Sequence, residues 1–327
     1  MQAIGRQPQR APDGAPVHYE RHRPEQTTLY RLVQRHAATF FAQTGAAAGA
    51  DLPQFVKDEF DAFLECGILA RGFLRLRCGD CGHDKLVAFS CKRRGFCPSC
   101  GARRMTQTVA HLVDHVIPRV PARQWVLSLP IPLRLLLASQ PQLLTPVLQV
   151  VQRVLTRHLL GQAGLKPDGA DSDAVTLIPR FGSAANLNVH LHCLVLDGVY
   201  RHTDGEPVFV EVPPPTDEAL QAVLHEIITR TMKLLTRRRV LVEEEGSTYM
   251  ADNDGFSLHA AVRCAADDRQ ALEQLCRYIT RPALANERVQ TNTAGQVVLK
   301  LKTAWRDGTT HLVMAPLEFM QCLAARA

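Results

Sequence analysis

No stretch of this chain is apolar for long enough to cross a membrane. The most apolar run, residues 124–139, is interrupted by Pro130, Pro132 and Arg134. Nor does the N-terminus, MQAIGRQPQRAPDGAPVHYERHRPEQ, contain the apolar core of a secretory signal; it is charged and proline-rich. These two absences make the cytoplasm the expected compartment, where thiols stay reduced. No internal repeat stands at solenoid spacing. Aromatic residues are scarce at 6%, and only five are tyrosines (Tyr19, Tyr30, Tyr200, Tyr249 and Tyr278), so a tyrosine in an unusual setting stands out. What is present, 327 residues with 46% apolar and 21% charged, suits one large or two ordinary globular cores and excludes a fibrous or disordered chain.

The net charge of +6 says little by itself. Its distribution says more. Residues 71–104 carry nine basic side chains (Arg71, Arg75, Arg77, Lys85, Lys92, Arg93, Arg94, Arg103 and Arg104) against Asp80 and Asp84, which leaves +7 in one short stretch. That density suits a phosphate backbone, with Lys92, Arg93, Arg94, Arg103 and Arg104 as the candidate DNA contacts. A solvated basic face is the plain alternative.

The apolar periodicity predicts helices over 28–43 and from Asp51, a candidate N-cap, burying Phe55, Val56, Phe60, Phe63 and Leu64. Short strands at 73–77 and 86–89 lie within the cysteine-rich segment. Beyond residue 120 the pattern predicts strands at 124–129, 174–181, 187–196, 256–263, 297–302 and 311–313. Helices are expected at 141–160, 218–238 and 267–280, with a last short one after 313. This order implies an α+β protein: a flexible leader (1–26), an N-terminal helical zinc-binding and DNA-binding module (27–118), and an antiparallel sheet domain covered by helices (119–327).

Six of the ten cysteines lie between residues 66 and 100. Two C-x2-C knuckles, Cys78/Cys81 and Cys97/Cys100, are separated by fifteen residues. Each places two thiolates on one turn, and two facing knuckles make a tetrahedral cage for zinc. A disulfide framework is the alternative, which a chain without a secretory leader does not favour. Four thiolates leave no position open for substrate, so zinc there would be structural. Cys66 and Cys91 read equally as further ligands or buried thiols, and His83 as an alternative ligand.

In NLNVHLHCLVLD (186–197) polar and apolar residues alternate with period two. Asn188, His190 and His192 therefore share one face of a strand. Two imidazoles side by side can clamp a divalent metal and leave its other positions open. A metallo-β-lactamase site would want an acid two residues after the second histidine, where this chain has Leu194. On the 267–280 helix the apolar stripe is Leu272, Leu275, Cys276 and Ile279. Tyr278 lies off that stripe, with Arg277 and Arg281 beside it, and is a candidate nucleophile because nearby cations stabilise phenolate and phosphate charge. An ordinary surface tyrosine is the alternative.

Five stretches together resemble the insertion sequence ninety-one family of rolling-circle transposases, most closely its common-region (ISCR) branch: FLRLRCGDCGHDKLVAFSCKRRGFCPSCGARR, RFGSAANLNVHLHCLVLDGVY, FSLHAAVR, LEQLCRYITRPAL and LKTAWRDGTTHLVMAPLEF. They cover most of the chain from residue 60 onward. The resemblance implies an HUH endonuclease fold, in which the sheet carries the histidine pair and a neighbouring helix the tyrosine. It implies that Tyr278 attacks a phosphodiester in single-stranded DNA, giving a 5′-phosphotyrosine and a free 3′-OH, with magnesium or manganese held by His190 and His192. A third ligand would be His259 or Gln274, with His259 preferred, and Tyr200 is the fallback nucleophile. Two-tyrosine relatives carry a second tyrosine four residues before the first. Gln274 stands there, which points to the single-tyrosine branch. Relatives also carry more chain before FSLHA and after the last helix, as expected if this copy is shortened near 246–255 and at its C-terminus. Two rival readings are a non-catalytic zinc-dependent DNA-binding protein, which binds without cleaving, and a metal-dependent hydrolase of small substrates, which needs neither tyrosine nor basic module.

Overall fold

The computed structural model describes residues 23–49, 51–182, 184, 186–240, 255–282, 284–305 and 307–326. Most of the leader, the short link at 246–254, Tyr19 and Tyr249 lie outside the described residues. Helix α1 (Thr28–Ala48) starts on Thr27, whose hydroxyl accepts the Tyr30 N–H at 3.2 Å. It runs past the expected end at residue 43 because the alanines around Gly45 favour helix; Gly49, at φ 62°, ends it in the left-handed conformation. Helix α2 (Gln54–Glu65) is preceded by Pro53, not capped by Asp51, whose carboxylate instead pairs with Lys57 Nζ at 2.5 Å. Val56, Phe60 and Phe63 are buried as expected, whereas Phe55 faces solvent.

Strands β1 (Phe73–Arg77) and β2 (Asp84–Ala88) form an antiparallel hairpin with residues 78–83 at its tip. Helix α3 (Pro98–His111) follows and continues into one π-helical turn at Leu112–Val116.

The main sheet is built from β3 (Ala122–Ser128), β5 (Ala174–Leu177), β6 (His190–Leu196), β9 (Ser257–His259) and β10 (Arg263–Cys264). It is antiparallel, in the order β10-β3-β6-β5, with β9 also pairing with β3. The single strand expected at 256–263 is thus broken into β9 and β10. At the break the Ala260 carbonyl is taken by the Arg123 guanidinium at 3.0 Å rather than by the ladder. Strand β3 pairs with β6 over seven positions, from Ala122↔Leu196 to Ser128↔His190.

One face of this sheet (Trp125, Leu127, Leu191, Cys193, Val195) packs on α4 (Ile131–Ser139), α5 (Leu144–Gln162) and α6 (Asp217–Arg237). The opposite face, with Ala122 and Leu194, packs on α3 and α7 (Arg269–Thr280). Strands β4 (Ala170–Asp171), β7 (Gly198–Arg201) and β8 (Val208–Glu211) form a small separate sheet.

The last elements are β11 (Val289–Thr291), β12 (Val297–Lys300), β13 (His311–Met314) and α8 (Pro316–Ala324). Their Val289, Val297, Leu299, Phe319, Met320 and Leu323 share one core with Leu29, Leu32, Phe40, Phe60, Phe63, Cys97 and Cys100. The C-terminal segment therefore closes on the N-terminal helices, and the cores do not divide at a single cut between residues 118 and 119.

Beside the main sheet lies a buried ion pair. Arg123, 4% exposed, donates two hydrogen bonds to the two carboxylate oxygens of Asp197, 2% exposed, at 2.7 and 2.8 Å. Arg263 Nε donates a third at 2.7 Å. Removing one partner strands a buried charge, so Asp197→Ala should cost about 3–5 kcal/mol in chemical denaturation. A loss below about 1 kcal/mol, the range of an exposed pair, would show that Arg123 finds its compensation elsewhere.

Candidate functional site

The sulfur atoms of Cys66, Cys91, Cys97 and Cys100 all lie within 4.8 Å of one another. Cys66 ends α2, Cys97 is the N-cap of α3, Cys100 sits in its first turn, and Cys91 follows β2. The separations Cys66–Cys100 (3.7 Å), Cys66–Cys97 (3.6 Å) and Cys91–Cys100 (3.3 Å) approach the edge of a zinc–sulfur tetrahedron, about 3.8 Å for a bond of about 2.3 Å. The Cys91 N–H also donates to the Cys66 sulfur at 3.3 Å. This four-thiol cluster suits structural zinc.

The expected pairing of Cys78 and Cys81 with Cys97 and Cys100 is therefore corrected. Cys78 and Cys81 sit exposed at the hairpin tip, the length of β1 away from its base, or about 17 Å for five residues. His83 stays at that tip too. The base is closed by Gly67 N–H to the Phe89 carbonyl (2.9 Å) and Phe89 N–H to the Gly72 carbonyl (3.0 Å). That closure brings Cys66 to Cys91. The signal in the sequence was that both residues flank a hairpin at its two ends.

A cleft of about 960 Å³ opens between this module and the main sheet. His190 and His192 line it from β6, Tyr278 from α7, and Arg94 and Arg104 from the cysteine module. Period-two alternation turns both histidines toward the α7 side, opposite Leu191 and Cys193. Their rings lie 4.8 Å apart. His190 Nδ1 lies 2.7 Å from the Asn188 carbonyl, which can only accept, so Nδ1 carries the proton and Nε2 keeps its lone pair. His192 Nδ1 lies 2.7 Å from the side-chain amide of Gln124 on β3. The atom at that contact is Gln124 Nε2, which donates, so Nδ1 accepts and the neutral ring carries its proton on Nε2; exchanging the amide oxygen and nitrogen of Gln124 reverses the tautomer and frees Nε2 for a metal.

Burial lowers the pKa of both imidazoles. Arg134 and Lys302 reinforce the effect at His190, and the Asn188 carbonyl partly opposes it. His192 is pushed down to about 4 by burial and by His190. Both are therefore neutral near pH 7, the state in which imidazole ligates a metal. Gln124 was not picked out from the sequence; its place in the alternating face of β3 was the available signal.

Tyr278 is 62% exposed and off the buried stripe of α7, whose Leu272, Leu275, Cys276 and Ile279 are buried as expected. Arg277 is occupied by Glu273 at 2.7 Å, and Arg281 lines the cleft. His259 faces the same side as His192, since both pair with Val126, but two strand spacings of about 4.8 Å separate them. His259 is exposed and outside the cleft lining, and among the described residues no third imidazole, thiol or carboxylate closes on the pair. Gln274 is exposed and also outside the lining. Tyr200 lies on β7, its ring 5.2 Å from Phe209 in the small sheet, and does not reach the cleft.

Of the basic residues, Lys92, Arg93, Arg94 and Arg103 are exposed and Arg104 is half-buried. Arg104 donates to the Arg93 carbonyl at 2.6 Å, and Arg103 to the Ser90 hydroxyl at 3.1 Å. Lys92 holds φ 54°, a conformation better suited to asparagine or glycine. Helix α3 comes close to the segment after α7: a Cβ on Gly101 would stand 2.9 Å from the Pro282 ring. Only glycine permits that approach, which sets the module against the tyrosine helix.

A family model described as "Transposase zinc-binding domain", of the insertion sequence 91 (IS91) type, matches residues 32–129, and one described as "Putative transposase" matches residues 174–326. The chain belongs to the IS91-type transposases. Neither curated proteins nor solved structures give a match. The zinc-binding match spans all four clustered thiols with Arg94 and Arg104 of the cleft, and the second spans both histidines and Tyr278. A transposase is a DNA-processing, DNA-binding enzyme, and the cationic rim of the cleft agrees with that. No helix among the described residues is long and apolar enough to cross a membrane.

Purified transposase is expected to hold one zinc on Cys66, Cys91, Cys97 and Cys100. Cys66→Ser should lose the metal and lower the melting temperature, whereas Cys78→Ser should retain both, as read by metal analysis and thermal unfolding. Zinc kept by the first variant and lost by the second would restore the two-knuckle pairing.

Proposed function

We propose that this transposase nicks and rejoins single-stranded DNA through Tyr278, with magnesium or manganese held by His190 and His192. The observation that carries this reading is the shared cleft: an exposed phenol on α7 and two neutral imidazoles on β6 open onto one cationic space. A flexible single strand can lay one phosphate into such a cleft, which a stiff duplex does less readily.

In the nicking step the Tyr278 phenol oxygen attacks phosphorus and the bond to O3′ breaks. The phenol proton passes to water and the departing O3′ gains one, leaving a 5′-phosphotyrosine and a 3′-OH. Rejoining is the reverse, with a 3′-OH attacking and the phenol leaving. Arg94, Arg104 and Arg281 stand where they can offset phosphate charge. The two histidines fit a divalent cation because their environment keeps them neutral and ties His190 Nδ1 to a carbonyl. When bound, such an ion supplies Lewis-acid charge compensation on the phosphate oxygens. Asn188 and Gln124 are positioning residues, each orienting one ring. With Gln274 one turn before Tyr278, each site would hold one covalent strand at a time.

Incubation with single-stranded DNA and manganese should yield a covalent adduct on a denaturing gel. Tyr278→Phe should abolish the adduct while preserving fold and DNA binding, and His190→Ala or His192→Ala should abolish nicking. An undiminished adduct with Tyr278→Phe would assign the chemistry elsewhere.

The basic rim should act without regard to sequence. Neutralising Lys92, Arg93 and Arg94 together (Lys92→Asn, Arg93→Gln, Arg94→Gln) should weaken binding to all DNA sequences. The salt dependence should flatten too, by a slope of about 0.7 for each single-strand phosphate left without its cation. An unchanged affinity and slope would make this stretch a solvated face.

A further inference from the structure

The cleft holds a group of charges that neither the attacking tyrosine nor the histidine pair accounts for. Arg326, just after α8, is only 8% exposed, yet Nε, Nη1 and Nη2 all lack a hydrogen-bond partner. Its guanidinium carbon stands 5.1 Å from the Phe181 ring centroid, which fixes its direction without neutralising it. Lys302, just past β12, lines the same cleft, and its charge reaches His190. Lys302 reaches solvent, yet partial desolvation in the cleft lowers its ammonium to about 8, reinforced by Arg288, Arg281 and Arg326, all of them cations. Burial likewise lowers Arg326 to about 10; Cys322 opposes this and Arg288 adds to it. Among the described residues neither Lys302 nor Arg326 has an ion-pair partner.

The cleft lining as a whole contains Arg94, Arg104, Arg180, Arg281, Lys302 and Arg326 against a single acid, Glu59. Glu59 is already engaged, accepting the Gly95 N–H at 2.8 Å. Burying a guanidinium with every donor unsatisfied, in a cleft lined by five further cations, is costly. An anion with several acceptor oxygens would satisfy both groups: Arg326 as a planar fork, Lys302 as a point charge.

We propose that Lys302 and Arg326 form a phosphate-binding subsite that seats a backbone phosphate of the DNA strand next to the one attacked. The assignment of that phosphate to the cut strand rests on the nicking reading above; the subsite itself rests on the buried, unpartnered Arg326 guanidinium, with the exposed Lys302 ammonium lining the same cleft. Seating a neighbouring phosphate would hold the strand in register, so that the attacked phosphorus meets the phenol rather than slipping by one nucleotide. Lys302 and Arg326 are thus positioning residues.

The test uses the full chain with Lys302→Met, Arg326→Met and both together. If the charges only served the fold, these variants would lose stability. The subsite instead predicts a melting temperature equal to or above that of the unmodified protein for Arg326→Met and the double variant, because an uncompensated buried charge is removed, and an unchanged one for the exposed Lys302→Met. Affinity for a single-stranded oligonucleotide should fall about ten-fold or more in the double variant. A scan of the oligonucleotide with neutral methylphosphonate linkages should find one position, adjacent to the nick, at which the unmodified protein loses affinity and the double variant does not. Unchanged DNA affinity in the double variant, or lowered stability with the methylphosphonate pattern unaltered, overturns the proposal. Inorganic phosphate that raises the melting temperature of the unmodified protein, with DNA affinity unchanged in the variants, would make this a free-anion site and also overturn it. The covalent-adduct gel is read separately. Loss of affinity in the variants without any adduct in the unmodified protein would keep the subsite and remove the nicking reading.

Discussion

The cleft depends on the seven-pair antiparallel register between β3 and β6. Because side chains alternate across a sheet, that register sends Leu191, Cys193 and Val195 into the core under α5 and α6, and turns His190 and His192 toward α7. A slip of one residue would exchange the two sets, burying imidazoles among leucines and exposing the core. The apolar face makes such a slip too costly to be populated, so packing energy on one side of the sheet fixes the chemistry on the other. Gln124 depends on the same pairing, since it reaches His192 only from its place on β3.

Charge is handled in opposite ways at two places along this sheet. Near the end of β6, Arg123 and Arg263 surround Asp197, and every charge has a partner. At the cleft, six cationic side chains gather around two neutral histidines with one acid among them. The first arrangement serves the fold. The second is poor for an isolated protein but suited to a polyanion, because binding removes the repulsion.

Zinc and cleft are mechanically linked through the chain as well as through packing. The thiol cluster joins the end of α2 to the start of α3, and Phe96, beside Cys97, packs edge-on against Phe60 and tilted against Phe63, with ring centroids 4.9 and 5.1 Å away. The same segment supplies Arg94 and Arg104 to the cleft wall. Closure of β12 and α8 onto this core brings Lys302 and Arg326 into the lining of the same cleft. The cleft is therefore assembled from the beginning, middle and end of the chain.

Local order determined much of this protein from the sequence alone. Strict alternation in NLNVHLHCLVLD put the two histidines on one face, and the helical stripe of Leu272, Leu275, Cys276 and Ile279 put Tyr278 outside the core. The crowding of cysteines and arginines between residues 66 and 104 announced a metal-binding, DNA-facing module. What the sequence could not rank was neighbours from segments whose separation along the chain carries no information about distance. Two C-x2-C knuckles looked like one cage, yet a hairpin of two five-residue strands carries the first knuckle away and its closed base joins Cys66 to Cys91 instead. His259 shares a face with His192 but lies one strand too far, a spacing set by sheet order rather than by pattern. Gln124 behind His192, and the meeting of Lys302 with Arg326, were decided by tertiary structure. Both depend on strand pairing and core closure across tens to hundreds of residues, where burial of apolar faces, not local spacing, selects the neighbours.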